Sequence, residues 1–219
     1  MPGKVTAFFD VDRTLLRCNS GSRWLSYLRR NGEISTWKAL RAAAWLARYK
    51  LALIDMEAVT GIVVADMKGV DEAEMVQKTR RWLEEEILGE VAPRGREQIA
   101  WHRRQGHVTA ILSTSTPYLT EPLAAHLGID HVLCTRLEVN DGVFTGGWEP
   151  PLCYGPGKVT RASEWAGAHG IDLARSSFYT DSISDLPMLE AVGSPRVVNP
   201  DPRLRFVAAR RRYPVESWK

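Results

Sequence analysis

Val5-Thr6-Ala7-Phe8-Phe9-Asp10-Val11-Asp12-Arg13-Thr14 is the stretch on which the reading of this chain turns. Its first half is apolar and rich in strand formers, so it predicts a buried strand. Its second half places two carboxylates two residues apart where that strand ends. Like charges so close repel, and partial burial adds to the cost. Asp is common in turns, which alone would explain one such residue. A pair at a buried strand end points instead to a metal ion or a proton-transfer task.

Outward from this stretch the pattern changes twice. From about Ser20 to Ile87 it is helical, with strand signals almost absent. Trp24, Leu25 and Leu28 fit one helix, and Trp37, Leu40, Ala44, Trp45, Leu46 and Tyr49 a second. Met56, Val59 and Val63, then Met75, Trp82 and Leu83, suggest two more, with Gly32 and Gly69 near the breaks. From Pro93 strands and helices alternate: helix 93–105, strand 108–112, helix 120–127 stopped by Gly128, and strand 131–134. Segments 136–139 and 143–145 flank Asn140-Asp141-Gly142, a strong hairpin signal. Helix 158–169, strand 177–180, helix 185–192 and a last core strand 196–198 complete the series. This alternation predicts an α/β fold, a Rossmann-like doubly wound parallel sheet with an inserted all-helical cap. The expected domains are a core of residues 1–17 and 91–219 and a cap of residues 18–90.

Composition bounds the function. The chain has 219 residues, 44% of them hydrophobic and 25% charged, as in an ordinary globular protein. A net charge of +3 is too small to argue for nucleic acid but does not repel a phosphorylated substrate. Cys18, Cys134 and Cys153 are widely spaced and suggest no disulfide framework, which favours a reducing cytoplasm. The N-terminus enters a strand without a charged-then-apolar leader, and no apolar run is long enough to span a bilayer. The expectation is a cytoplasmic protein with no stable membrane insertion.

Groups suited to phosphate chemistry recur at strand ends and helix starts of the α/β part. Asp10 and Asp12 end the first strand, and Ser113 and Thr114 end the strand over 108–112. Lys158 opens a helix after Gly155-Pro156-Gly157, and Asp181 ends the strand over 177–180, with Asp185 four residues on. In an open parallel sheet the carboxyl ends of adjacent strands share one crevice, so these groups can converge. Carboxylates with backbone or water oxygens suit Mg²⁺. One carboxylate can attack phosphorus, and a second can protonate the leaving oxygen and later activate water. A hydroxyl, backbone N–H groups and a lysine can hold the phosphoryl oxygens. Gly155–Thr160 is no P-loop, because Leu152 stands where a glycine is needed and Val159 follows the lysine.

Taken in order, DVDRT, the apolar strand ending in Ser113, Lys158 and DSISD resemble the four motifs of the haloacid-dehalogenase superfamily. The helical insertion after the first motif resembles its first cap class, and the layout is closest to the phosphoserine-phosphatase-like branch. The resemblance spans essentially the whole chain. It implies a Mg²⁺-dependent phosphomonoesterase acting on a small organic phosphate through an aspartyl-phosphate. Asp10 would be the nucleophile. Asp12 would be the general acid/base, with its carbonyl on the metal, and Thr14 would hydrogen-bond nearby and steady the loop. Ser113 and the Thr114 N–H would bind the phosphoryl group, Lys158 would bridge nucleophile and phosphate, and Asp181 and Asp185 would serve the metal. Thr180 stands where the branch often has Gly, and Ser184 where Asn is frequent. Phosphoserine phosphatases carry a Glu nine residues after the nucleophile; here Asn19 stands there, a neutral amide that cannot pair a substrate amine in the same way. Asn19, Ser20, Arg23 and Trp24 lead from the catalytic loop into the cap and are the candidate specificity residues.

Some alternatives stay open: a phosphoryl mutase or transferase on the same scaffold, a phosphatase of lipid-like phosphates, and a non-catalytic phosphate-binding protein. Asp12 argues against dehalogenation, since a halide leaves without a proton. The segment 38–53 is basic and amphipathic, and a cap helix explains it more cheaply than a membrane contact. His102 and His107 read as surface or helix-end residues, Arg210–Arg212 as a solvated tail face, and Asp130, Asp141 and Asp172 as turn residues.

Overall fold

A computed structural model of the chain describes residues 3–34 and 56–218. The helix expected over Trp37–Tyr49 and the basic segment 38–53 lie outside the described residues.

Six parallel strands form the main sheet, in the order β3-β2-β1-β6-β7-β8. They are β1 (Thr6–Phe9), β2 (Val108–Ser113), β3 (His131–Cys134), β6 (Ser177–Thr180), β7 (Ser194–Val198) and β8 (Val215–Glu216). A separate hairpin consists of β4 (Leu137–Asn140) and β5 (Val143–Trp148). β1 is central, with Phe8 opposite Ala110 on one side and Phe178 on the other. Its residues are all buried. This explains why it reads as a continuous apolar run rather than an alternating one.

Successive residues of each strand face opposite layers. Phe9, Ile111, Tyr179 and Val198 pack with Ile99 of α4 (Pro93–Arg104) and Leu123 of α5 (Pro117–Leu127). Phe8, Leu112, Phe178 and Val197 pack with Ala162 of α6 (Pro156–His169), Met188 of α7 (Leu186–Ala191) and Leu204 of α8 (Pro202–Arg211). The sheet is therefore covered on both faces, as the doubly wound reading expected. The chain leaves β3 on one flank and re-enters beside β1 as β6, so the topological switch point lies between β1 and β6.

Between β1 and β2 the described residues form α1 (Ser20–Arg30), α2 (Met56–Ala65) and α3 (Glu72–Trp82) before α4. Asn19 caps α1 by accepting from the Ser22 N–H, and Asp71 caps α3 by accepting from Glu74. Trp24 stacks on Tyr27 and meets Trp82 edge-on, at centroid distances of 5.6 and 5.0 Å.

Two features depart from the sequence reading, and a third, the placing of the hairpin, adds to it. The strand at β7 is not the last, because β8 pairs beyond it and brings Trp218 into the core at 1% exposure. A two-residue strand carries no readable periodicity. The hairpin is not part of the main sheet. It turns through Asp141 and Gly142, both at positive φ, and bonds to the α2–α3 connection. There the Gly69 N–H donates to the Phe144 carbonyl at 2.8 Å and the Glu72 N–H to the Gly142 carbonyl at 2.9 Å. Finally, His102 lies in the last turn of α4, a helix end as read, but not at the surface. It is 1% exposed, with Nε2 2.9 Å from the Tyr179 hydroxyl and Nδ1 2.9 Å from His107 Nδ1. Burial, then His107 and Arg196, push its pKa down to about 4. Its place on the inner face of α4 was hidden by the polar residues around it in sequence.

Candidate active site

β1 delivers Asp10 to the switch point. The Asp10 N–H continues the sheet by donating to the Tyr179 carbonyl at 2.9 Å, which fixes the carboxylate beside the end of β6. The chain then makes a wide turn, with the Leu16 N–H donating to the Val11 carbonyl at 2.9 Å. The left-handed backbone of Arg13, φ 56°, makes that turn possible.

Lys158 is the keystone of the site. Gly155 and Pro156 start α6 so that this lysine, 2% exposed, enters the cavity floor. Its Nζ donates to Asp10 Oδ1 at 2.7 Å and to Asp185 Oδ2 at 2.8 Å. Thr180 Oγ1 donates to the same Asp185 oxygen at 2.6 Å. The Thr180 side chain thereby positions Asp185. Burial pulls the Lys158 pKa down, but Asp10 and Asp185 outweigh it and the ammonium is held charged.

The carboxylates behave in the opposite sense. Burial raises Asp10 to about 7 against the pull of Lys158. Burial, then the charges of Asp10 and Asp185, raise Asp181 to about 8. Asp12 is also raised by burial, although it accepts from Asn19 Nδ2 at 2.8 Å and from the Ser20 N–H at 2.9 Å. Four carboxylates thus crowd one cavity whose floor carries a single ammonium, paired with two of them.

A cavity of about 740 Å³ opens over these groups. Asp10, Asp12, Lys158, Asp181 and Asp185 line it, with Ser113 and Thr114 from the end of β2 and Asn19 and Ser20 from the start of α1. Ser113 Oγ accepts from the Ser115 N–H at 3.2 Å, so its hydrogen can still be donated. Thr114 Oγ1 instead donates to the Cys153 carbonyl at 2.9 Å, leaving its N–H as the group to offer. The remaining expected residues are not on this wall. Thr14 is fully buried, and its Oγ1 has no partner among the described residues. Arg23 pairs with Glu90 at 2.7 Å, and Trp24 packs on Tyr27 and Trp82.

Sequence pattern does not mark Asp201 or Thr180 as functional. Asp201 ties the Ile183 N–H at 2.7 Å and caps α8 through the Leu204 N–H at 2.8 Å. The Asp-Pro pair at a helix start was the available signal.

Among the described residues no three His, Cys, Asp or Glu side chains close into a ready cage for a metal. What the site offers is two buried, mutually repelling carboxylates, Asp10 and Asp181, beside the Asp12 backbone. That donor set fits a hard divalent cation that completes its shell with phosphate and water.

The haloacid dehalogenase-like hydrolase family matches residues 7–190. The chain belongs to that family. Over 99% of its length it is 28% identical to histidinol-phosphatase of Neisseria meningitidis serogroup C, covering 100% of that protein. It is 30% identical to a phosphoserine phosphatase of Mycobacterium tuberculosis, across 97% of this chain and 70% of the relative. A solved structure of a protein of unknown function from Bordetella pertussis Tohama I superposes with a TM-score of 0.89 at 28% identity, over 97% of this chain and 98% of that one. This family member is a phosphatase of the phosphoserine-phosphatase-like branch. No helix among its described residues is long and apolar enough to cross a membrane.

Proposed function

We propose that the enzyme hydrolyses the phosphate monoester of a small alcohol in two steps, through an aspartyl-phosphate on Asp10, with Mg²⁺ as its cofactor. The observation that carries this reading is the buried Lys158 ammonium, held 2.7 Å from Asp10 and 2.8 Å from Asp185. A cation there leaves one oxygen of Asp10 to act and stands ready to meet phosphoryl oxygens.

Lys158 occupies Asp10 Oδ1, so Oδ2 attacks phosphorus. The Oδ2–P bond forms as the ester P–O bond breaks, and Asp12 donates a proton to the departing alcohol oxygen. Ser113 Oγ, the Thr114 N–H and Lys158 hold the other phosphoryl oxygens as charge builds on them. Asp12, now a carboxylate, takes a proton from water; that water attacks phosphorus, the Asp10–P bond breaks, and orthophosphate leaves. The two N–H donors on Asp12, from Asn19 and Ser20, keep it aimed through both steps. Asp10, the Asp12 carbonyl and Asp181, with Asp185 as a further ligand or through a water, would hold Mg²⁺, which would neutralise the carboxylates and polarise the phosphoryl group. In this reading residues 18–90 would be the cap, with α1, α2 and α3 among its described helices, and α4 would belong with the rest of the chain to the core.

The test is phosphate release from phenyl phosphate with and without Mg²⁺, joined to intact-mass analysis of acid-quenched reactions. Mg²⁺-dependent turnover and one added phosphoryl group, both lost in Asp10→Asn, are expected. Turnover that survives Asp10→Asn would sink the covalent route.

A further inference from the structure

The reaction uses the floor of the cavity and leaves its rim unexplained. Arg13 and Arg203 both line the cavity, and both are exposed. Neither makes a close ion pair with a carboxylate among the described residues, although the Arg13 charge reaches Asp12 and Asp181 and pulls both pKa values down against their burial. They stand on two loops that are clamped together. The Arg13 carbonyl accepts from Asn199 Nδ2 at 2.8 Å, and the Asp201 N–H donates to the Asp181 carbonyl at 2.8 Å. Arg203 follows two residues later, at the start of α8.

Arg13 sits where a glycine would be easier. Its φ of 56° is in the left-handed region, which side chains other than glycine enter at a cost. A strained position that nonetheless carries a long cationic side chain points to a use for that side chain.

Among the described residues the rim also offers no free carboxylate to a cationic substrate. Outside the catalytic four, Asp201 is the one carboxylate lining the cavity among the described residues, and its oxygens accept from the Ile183 and Leu204 N–H groups. Asn19 is likewise engaged, with Nδ2 on Asp12 and Oδ1 on the Ser22 N–H and hydroxyl.

We infer that Arg13 and Arg203 form an anion subsite on the rim, so that the preferred substrate is a phosphate ester whose alcohol half carries a second anionic group. This rests on the phosphatase reading and names its substrate class. A planar guanidinium suits a carboxylate or a phosphate equally well.

The test uses four probes of one shape: phenyl phosphate, 4-carboxyphenyl phosphate, 1,4-phenylene bisphosphate and 4-(aminomethyl)phenyl phosphate. kcat/KM is measured with Mg²⁺ for wild type, Arg13→Gly and Arg203→Gln, with thermal melts to check folding. Calorimetric Kd values for the same probes are taken on an Asp10→Asn background, with and without each arginine substitution. The wild type is expected to favour an anionic probe over phenyl phosphate by roughly tenfold or more, the scale of one charge-assisted contact. Each substitution should remove most of that advantage. The ranking of the carboxylate and bisphosphate probes then says which anion the subsite takes. Equal values for all probes, a preference for the cationic probe, or a uniform loss on every probe in both variants would overturn the inference. If wild type turns over none of the probes, the phosphatase reading fails, and the Kd series decides the subsite by the same criteria.

Discussion

Lys158 is 2% exposed between Asp10 and Asp185, and the energetics of that arrangement are asymmetric. Building a buried ion triad yields little net stability, whereas deleting its one cation leaves like charges uncompensated. Lys158→Ala should therefore destabilise the fold by about 3–5 kcal/mol in urea titrations and lower kcat by on the order of a hundredfold or more. Asn19 separates two effects that are usually entangled. Its Oδ1 caps α1, and its Nδ2 holds Asp12. Asn19→Asp keeps a capping oxygen but loses the donor and sets a like charge against Asp12. It should keep the unfolding free energy within about 1 kcal/mol of wild type while cutting kcat by roughly tenfold or more. Asn19→Ala should lose both. Equal activity in wild type and Asn19→Asp would remove Asn19 from the positioning of Asp12.

At the scale of elements, the start of α6 decides where Lys158 points. A Cβ on Gly157 would lie 1.9 Å from the Leu152 carbonyl oxygen, so Gly157→Ala has to push the helix start away. Gly167, in the same helix, would meet nothing within 4 Å. Gly157→Ala is expected to lose at least roughly tenfold in kcat/KM, as positioned groups do when displaced by about 1 Å. Gly167→Ala should instead gain about 0.5–1 kcal/mol with activity retained, because only helix propensity changes. Circular dichroism melts and kinetics on the pair check both. The hairpin β4–β5 was legible as a hairpin from Asn140-Asp141-Gly142, since two positive-φ positions demand such residues. Its docking on the α2–α3 connection was not, because backbone hydrogen bonds leave no mark on side-chain pattern.

For the whole molecule, the site leaves a signature in stability against pH. Asp10 and Asp181 have folded-state values of about 7 and 8, above the ordinary 3.8, so the folded metal-free protein binds more protons than the unfolded chain through that window. Its stability must then fall as pH rises. His102 acts oppositely: lowered from 6.5 to about 4, it binds its proton in the unfolded chain first, and stability rises with pH between those values. The effects compete below pH 6.5 and only the carboxylates act above it. The melting temperature of the metal-free protein should drop by several degrees between pH 6.5 and 8, at ~2–4 °C per kcal/mol for a chain of this size. Mg²⁺ should restore more of it at pH 8 than at pH 6.5. A flat scanning-calorimetry profile over that range would show that Asp10 and Asp181 are ionised without help. By itself the sequence determined the parallel α/β core and nominated Asp10, Asp12, Ser113, Lys158, Asp181 and Asp185. It could do so because buried strands read as apolar runs and their reactive groups sit at fixed places just beyond them. Only the tertiary structure decided that Thr180 braces Asp185, that Asn19 serves Asp12, that His102 is buried, and that Arg13 and Arg203 share a rim. The Thr180–Asp185 and Asn19–Asp12 contacts, five and seven residues apart, depend on how the turns after β6 and β1 fold, and the other two on which distant segments the sheet order brings side by side; side-chain periodicity carries no information about either.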